Sequence, residues 1–347
     1  MRVTAIACLL SLAVGAAADL TPQQRVGMLW DRADRQIDFK KHDDALATGR
    51  RAVQIAPESA EAWALLSFTR WMHPDVPDAS AGEAALKAVG LDADCALAHY
   101  ALGLANWADD QLQHAVELDP TLARAWSMLG LARLDCGEAV GALHALRRAV
   151  EVEPGYYEWH LNLAEGLSAT GEFDEAIQAA LRSVELSPSP QAEALTRNSV
   201  AWTICLARYV DAFLVQTAVD YARRAVELAP DDPYYWDTLG SALVLFRNPA
   251  DAEEALRRAI ALQHTSQPTL AYALALQGRD DEARTLLSDV SDFLISREAG
   301  PHHVHFAARA WAEIGDADVA RRAFDSAVRR WPQHPWADEA RNWLGAN

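Results

Sequence analysis

Apolar and polar positions along this chain recur with one fixed period. The phrase Val-Glu-Leu-x-Pro, or a close variant of it, occurs four times, and its prolines lie 34, 34 and 42 residues apart. Apolar residues recur at helical spacing between these prolines, and turn-forming residues separate the apolar runs. This pattern predicts two antiparallel helices of about 12–15 residues in each unit. Because so short a unit cannot bury its own apolar face, neighbouring units must stack into a solenoid.

The unit that ends at Pro154 carries the repeat in its clearest form. Its marker residues are Trp126, Leu129, Gly130, Ala142, Leu146, Ala149 and Pro154. This pattern resembles the tetratricopeptide repeat (TPR), W-x2-L-G-x2-Y followed by A-x3-F and P over 34 residues. Copies in the same phase recur from roughly residue 22 to residue 334. The resemblance implies an all-α, TPR-type α-solenoid, a right-handed superhelix of antiparallel helix pairs.

The repeat frame divides the chain into three parts. We predict a signal peptide over residues 1–18, an array of about nine TPR-like repeats over 19–334, and a C-terminal capping helix over 335–347. The predicted repeats lie near residues 26–59, 60–94, 95–122, 123–156, 157–190, 199–232, 233–266, 267–300 and 301–334.

Two of the repeats depart from the 34-residue frame. The unit that ends at Pro120 is short, and the 42-residue gap before Pro230 carries about eight extra residues near 189–192. Neutral drift in a surface turn explains such changes, because loop insertions are tolerated at little cost in free energy. A bend or protruding loop that shapes a binding groove is the alternative explanation.

The first 18 residues have the three parts of a secretory signal peptide. Arg2 supplies the positive start, residues 3–14 are apolar, and small residues lead up to Ala18, after which we expect cleavage. The apolar stretch is shorter than the ~20 residues that span a bilayer. We therefore predict a secreted or periplasmic protein without stable membrane insertion after the signal peptide is removed.

The charge balance narrows the class of partner. The chain has 31 basic and 49 acidic residues, a formal net charge of −18, and its only lysines are Lys40, Lys41 and Lys87. Nucleic acid and anionic lipid both need a basic surface, so neither is expected to bind.

Three cysteines follow the signal peptide: Cys95, Cys136 and Cys205. We expect them to be small buried hydrophobic residues.

The TPR resemblance also implies where a partner binds, because the first helix of each TPR lines a concave groove. Carried onto this sequence, the predicted lining is aromatic near the N-terminus and polar in the middle repeats. The candidate residues are Trp30, Phe68, Trp71, Met72, His99, Trp107, Arg124, Ser127, Glu158, Asn162 and Glu165. Such a surface suits an extended peptide or an amphipathic helix. Alternatively, each tryptophan packs against the next helix as part of the core.

The sequence contains no recognised catalytic motif. One cluster, His302-His303-Val304-His305, places His302 and His305 three residues apart on one helical face, where both can reach a single metal ion. Two imidazoles without a third ligand form an incomplete site. The favoured interpretation is therefore an exposed helix start, with no metal and no cofactor.

Together these patterns predict a non-enzymatic protein–protein interaction scaffold or adaptor in the cell envelope. Its partner is expected to be a protein or peptide, held as an extended segment or helix in the concave groove. A binding module for a glycan or a metal is the alternative function. An enzyme whose site is assembled from several repeats has no specific residue pattern in its favour.

Overall fold

The computed structural model describes residues 20–207, 212–332 and 334–346. These residues form α-helices joined by turns and loops, and they contain no β-strand. The all-α solenoid predicted from the sequence is confirmed. The described residues fall into two compact units, which are divided between residues 154 and 155. The predicted signal peptide, residues 1–18, lies outside the described residues.

The first unit consists of four helix pairs, in which each helix packs against the next along the chain. Its helices are α1 (Pro22–Asp38), α2 (His42–Ile55), α3 (Ala60–Trp71), α4 (Asp78–Leu91), α5 (Ala96–Asn106), α6 (Asp109–Leu118), α7 (Ala123–Asp135) and α8 (Ala139–Val152). The odd-numbered helices are the first helices of the pairs, and α1 packs on α3, which packs on α5.

The second unit repeats the arrangement and ends in a single helix. Its helices are α9 (Tyr157–Thr170), α10 (Phe173–Leu186), α11 (Pro190–Leu206), α12 (Ala212–Leu228), α13 (Pro233–Leu245), α14 (Pro249–Ala261), α15 (Gln267–Ala275), α16 (Asp280–Asp289), α17 (Ser291–Ile295), α18 (Pro301–Ile314), α19 (Ala317–Arg330) and α20 (Pro335–Ala346). The first helices α9, α11, α13, α15 and α18 pack on one another in chain order.

In three of the first helices, a hydrogen bond links the recurrent tryptophan to the recurrent proline before it. The indole Nε1–H of Trp126 donates to the Pro120 carbonyl oxygen at 2.9 Å. Trp63 and Trp236 make the same bond, each at 2.8 Å, to the prolines six residues earlier. The bond fixes the turn between one helix pair and the next, which explains why both residue types recur in one frame.

Within a pair, the two helices approach closely at a glycine. A Cβ atom added to Gly130 would lie 2.5 Å from Cγ of Leu146 and 3.1 Å from the Ala142 carbonyl oxygen. Gly240 meets Leu256 at 2.4 Å, and Gly103 meets Leu112 at 2.6 Å. A leucine of the second helix therefore fills the space that a side chain on the first helix would need.

Both departures from the frame appear as changes in helix length. The short unit is built from α5, with 11 residues, and α6, with 10. The extra residues before Pro230 extend α11 and α12 to 17 residues each.

The expectation of three buried cysteines is wrong for Cys136, which is exposed at the end of α7, whereas Cys205 is buried and Cys95 is partly buried.

The contact at Gly130 leads to a stability prediction. Gly130→Ala forces a methyl group against Leu146 and the backbone of α8, so we expect it to destabilise the protein by about 1–3 kcal/mol. Gly27→Ala is the matched control, because an added Cβ there has no neighbour within 4 Å. That change removes only the backbone freedom of a helical glycine and should stabilise by about 0.5–1 kcal/mol. Equal thermal unfolding midpoints for the two variants would contradict the packing described here.

Candidate partner-binding site

The first helices of the first unit bring an aromatic cluster to one side. Trp30 and Phe68 stack with their ring centroids 5.4 Å apart, and Phe68 lies 6.2 Å from Tyr100. The guanidinium carbon of Arg124 lies 4.9 Å from the Trp30 centroid and 5.9 Å from that of Phe68. These residues belong to α1, α3, α5 and α7. Together with Asp34 they define what we call the first-helix face.

Asp34 holds the Arg124 guanidinium in place over the rings. It lies one helical turn after Trp30, so both side chains project from the same side of α1. Arg124 Nη2 donates to Asp34 Oδ2 at 2.8 Å, and Nη1 donates to Oδ1 at 3.3 Å. The two bonds form a bidentate pair between residues 90 positions apart in the sequence. The side chains are 23% and 18% exposed, so solvent screens this pair less than a pair on the open surface.

The aromatic rings of this cluster are largely covered, whereas the guanidinium remains partly accessible. Trp30 is 5% exposed and Phe68 is 9% exposed. The Trp30 indole Nε1–H is buried and has no hydrogen-bond partner among the described residues. Cation–π contact with two rings stabilises Arg124 in this position. Arg124 is therefore the charged group that a partner would meet at this cluster.

Trp71, Met72 and Trp107 lie away from the stacked rings. Trp71 and Met72, at the end of α3, are partly buried against the apolar core of the first unit. Trp107 follows α5 in a left-handed backbone conformation, with φ of 51°, and is 41% exposed. Its Nε1–H donates to Asp135 Oδ2 at 2.9 Å. Trp107 is thus the most accessible of the aromatic rings predicted to line the groove.

His99 and Ser127 are buried. The His99 ring nitrogens lie 2.9 Å from Gln111 Oε1 and 2.8 Å from the Ala93 carbonyl oxygen, so this side chain bridges α5 to α6. Ser127 is fully buried within α7. These two residues contribute to packing inside the unit.

Three of the polar candidates belong to the second unit. Glu158, Asn162 and Glu165 lie four and three residues apart on α9, so they share one helical face. Glu158 Oε1 accepts a hydrogen bond from the Tyr157 hydroxyl at 3.2 Å. Glu165 is exposed, and the other two are partly buried.

The histidine cluster at the start of α18 is buried among aromatic rings. His302 meets Trp202 edge to face, with centroids 5.5 Å apart, and lies 3.7 Å from the His303 ring. His305 stacks on Trp336 at 4.9 Å. The expected exposed helix start is therefore wrong for His303 and His305, which are 9% and 5% exposed. The described residues contain no group of three or more histidine, cysteine, aspartate or glutamate side chains arranged to hold a metal ion.

Burial keeps these imidazoles uncharged near neutral pH. It lowers the pKa of His302 to about 3, of His303 to about 4 and of His305 to about 3. The neighbouring His303 lowers the pKa of His302 further, and Arg309 does the same for His305. Burial also lowers the pKa of His334 to about 4. The histidine rings around α18 therefore carry no charge near neutral pH.

An aspartate, a histidine and a serine meet near the start of α15 without forming a catalytic triad. The His264 Nδ1 atom lies 3.0 Å from Ser266 Oγ and 3.9 Å from Asp237 Oδ1. A triad needs the two partners at different ring nitrogens, but here both lie at Nδ1. Burial raises the pKa of the Asp237 carboxyl, and Ser266 and His264 oppose that rise.

Several residues that these clusters depend on were not predicted from the sequence. Asp34 and Tyr100 complete the first-helix face, and Trp202 and Trp336 enclose the histidines. For Asp34 a local signal existed, because it follows Trp30 by four residues on the same helix. For Trp202 and Trp336 none existed, because 134 positions separate them in the chain while their rings lie 6.0 Å apart.

These features define an α-solenoid of helix hairpins. The family model described as tetratricopeptide repeat matches residues 133–198. The TPR resemblance of the sequence is thus confirmed, and the family model itself covers residues 133–198 of the chain. A comparison with curated proteins finds no matching sequence.

Solved structures with the same fold include two that superpose over most of this chain. A chain in the crystal structure of the APC/C hetero-tetramer Cut9–Hcn1 superposes with a TM-score of 0.60 at 17% identity, over 86% of this chain and 55% of that one. A chain of the human IFIT1 dimer with PPP-AAAA gives 0.50 at 11% identity, over 78% and 72%. This chain thus spans little more than half the length of the first of these neighbours. At these identities the likeness shows the fold alone.

Among the residues that the structure describes, no helix combines the length and the apolar character needed to cross a bilayer.

The buried histidines predict that stability falls in acid. The unfolded chain binds their protons below the ordinary pKa of 6.5, whereas the folded chain binds them only near pH 3–4. Their contribution is therefore present above pH 6.5 and is lost as the pH falls toward 4, by about 1.4 kcal/mol for each unit of pKa difference. We expect the thermal unfolding midpoint to be clearly lower at pH 4.5 than at pH 7.

Two variants separate this effect from the titration of carboxylates. His305→Phe keeps an aromatic ring against Trp336 and cannot be protonated, so its midpoint should change less between the two pH values. His114→Gln, at an exposed position in α6, should change as much as the wild type does. The same pH dependence in all three proteins would contradict the role given to buried histidine.

Proposed function

We propose that this protein is a non-enzymatic scaffold or adaptor that binds a segment of a partner protein on the first-helix face of its first unit. The observation that carries the proposal is the Arg124 guanidinium, fixed by Asp34 and stacked on Trp30 and Phe68. Arginine and tryptophan dominate the binding energy of protein interfaces when they are held in rigid, largely desolvated positions.

Binding at this face needs little rearrangement of the scaffold. Regular helices hold Arg124 and the rings, and the bidentate pair with Asp34 already restricts the guanidinium. The loss of conformational freedom on binding then falls mainly on the partner segment. An extended peptide or an amphipathic helix would contact the accessible edge of Arg124 and the Trp107 ring.

What is known of the fold supports a protein partner. One structural neighbour, with a TM-score of 0.60, belongs to the Cut9–Hcn1 hetero-tetramer and so is found in a complex with another protein. Proteins of this fold commonly bind proteins, although fold alone gives only an associational argument. The net charge of −18 speaks against nucleic acid as the ligand. The proposed activity uses no cofactor and no metal ion.

Affinity capture from an envelope extract, with the chain from residue 19 as bait, tests the docking face. Arg124→Ala combined with Trp107→Ala should abolish capture of the partner that the wild-type bait retains, because it removes the guanidinium of the first-helix face and the exposed ring that the partner is proposed to contact. Helicity by circular dichroism should remain, since Trp107 is 41% exposed and the Arg124 side chain is 23% exposed.

Leu86→Ala is the control for this experiment. Leu86 is a large apolar residue, 61% exposed, on α4, which is a second helix of its pair. This variant should capture the partner as well as the wild type does. If the double variant of Arg124 and Trp107 loses helicity, the two side chains are needed for folding. If its capture equals that of Leu86→Ala with helicity intact, the first-helix face does not bind the partner.

We further propose that the protein is exported to the cell envelope and works there as a secreted or periplasmic protein. The N-terminal sequence supports this, with Arg2, an apolar stretch over residues 3–14 and small residues up to Ala18. Removal of residues 1–18 takes the formal net charge from −18 to −19. Once cleaved, the signal peptide could not anchor the mature protein in a membrane.

N-terminal sequencing of the protein purified from its native host tests the export proposal. We expect the mature chain to begin at Asp19. Ala16→Leu together with Ala18→Leu should block cleavage, because a signal peptidase requires small residues at these two positions. A wild-type chain that retains Met1 and remains in the cytoplasmic fraction would contradict export.

A further inference from the structure

The second unit contains a cavity of about 470 Å³ that the proposed docking face does not use. It lies between first helices α11 and α13, the loop from α14 to α15, and the segment that leads into α18. Its volume falls within the range of small-molecule sites in proteins. We propose that this cavity binds a guanidinium group, presented either by a small molecule or by an arginine side chain of a protein. The proposal concerns the second unit alone and does not depend on the first-helix face.

Three aromatic side chains from separate segments form the walls. They are Trp202 on α11, Tyr234 on α13 and Phe293 on α17. A planar guanidinium group stacks favourably on aromatic faces, and this contact strengthens as water is excluded.

Each of these rings is held nearly perpendicular to a histidine ring. The pairs are Trp202 with His302 (88°), Tyr234 with His264 (73°) and Phe293 with His303 (84°), with ring centroids between 4.7 and 5.5 Å apart. Edge-to-face contact of this kind fixes the orientation of aromatic rings. The walls are therefore pre-formed before a ligand arrives.

The charge of the lining favours a cation. The carboxyl groups of Asp237 and Glu298 line the cavity, and the described lining residues include no lysine or arginine. His302 and His303 are uncharged near neutral pH, because burial lowers their pKa to about 3 and about 4. Asp237 is 6% exposed, its side chain is hydrogen-bonded to Ser266, and its Oδ1 atom lies 3.9 Å from His264 Nδ1. A guanidinium group would supply the permanent positive charge that this buried carboxyl lacks.

Two buried polar atoms in the lining are available to a ligand. Asn198 Oδ1, an acceptor, has no hydrogen-bond partner among the described residues, and His303 Nε2 has no well-aligned one, with the Thr265 backbone beside the ring. The Gly300 N–H donates to His303 Nδ1 at 3.1 Å, so the proton of the neutral ring lies on Nε2. A guanidinium N–H can donate to Asn198, and a carbonyl or hydroxyl oxygen elsewhere on the ligand can accept from His303. Buried groups without partners are costly, so a ligand that satisfies both gains affinity.

A guanidinium group uses more of these features than a neutral sugar does. A sugar could stack on the rings and bond to Asn198 and His303, but it would leave the Asp237 carboxyl without a counter-charge. A quaternary ammonium group would contact the rings and the carboxyl but has no N–H for Asn198. The combination of flat walls, carboxyl groups and a free acceptor therefore points to guanidinium.

Isothermal titration calorimetry of the full chain with matched probes tests the proposal. The probes are agmatine, Nα-acetyl-arginine methylamide and Nα-acetyl-citrulline methylamide, in which a neutral urea group replaces the guanidinium without a change in shape. We expect a Kd at or below ~1 mM for at least one arginine-type probe and binding at least about tenfold weaker for the citrulline probe. Tighter binding of agmatine would indicate a small-molecule ligand, and tighter binding of the acetyl-arginine probe a protein side chain. Either result supports the site.

Two substitutions locate the binding in this cavity. Asp237→Asn keeps the shape of the side chain and removes its charge, so it should weaken binding about tenfold. Tyr234→Ala removes a ring that is 64% exposed and whose loss the fold should tolerate, and it should weaken binding about fivefold. Tyr234→Phe keeps the ring and should bind within about twofold of the wild type.

Three outcomes would overturn the proposal. The first is equal affinity for the arginine and citrulline probes, and the second is no effect of Tyr234→Ala in a folded protein. The third is binding of methyl glucoside in place of both arginine-type probes, which would assign the cavity to a neutral sugar. None of these results bears on the first-helix face, because the capture experiment measures that face separately.

Discussion

The structure depends on how closely the two helices of each pair can approach. Gly103, Gly130 and Gly240 each occupy a position where an added Cβ would lie 2.4–2.6 Å from a leucine of the following helix. Because the two backbones lie so close, the leucine of the second helix occupies the space over the glycine. The first helix therefore directs its larger side chains toward other helices. The bond from the recurrent tryptophan to the recurrent proline then fixes the turn into the next pair. Packing and turn together set the 34-residue period.

The same constraint determines what the first helices display. Because one side of each first helix is committed to its partner helix, its other side faces the first helices of neighbouring pairs. Trp30, Phe68, Tyr100 and Arg124 meet in this way in the first unit. In the second unit, Trp202 meets His302 and Trp336. One architecture thus yields an arginine held over aromatic rings in the first unit and an aromatic cavity with one buried carboxyl group, that of Asp237, in the second.

The fold could be predicted because its determinants are local and repeated. The repeat spacing alone identifies Gly130, Ala142 and Leu146 as repeat positions. In the structure, Leu146 and the Ala142 carbonyl oxygen lie against Gly130. The candidate site was only partly predictable. Trp30, Phe68 and Arg124 share a face, as their positions in the first helices suggested, whereas the hydrogen bonds of His99 turn it toward α6. The pairing of Asp34 with Arg124 and that of Trp202 with Trp336 join residues far apart in sequence, which no repeat pattern encodes.

Site-specific photocrosslinking tests most directly the claim that a protein partner docks on the first-helix face. A photoreactive phenylalanine analogue would replace Trp107 in one variant and Leu86 in another, because both positions are exposed and belong to the same unit. We predict that position 107 crosslinks to one discrete partner segment, identified by mass spectrometry, and that position 86 does not. Crosslinking to that partner from position 86 and not from position 107 would contradict docking on the first-helix face and place the docking surface on the second helices.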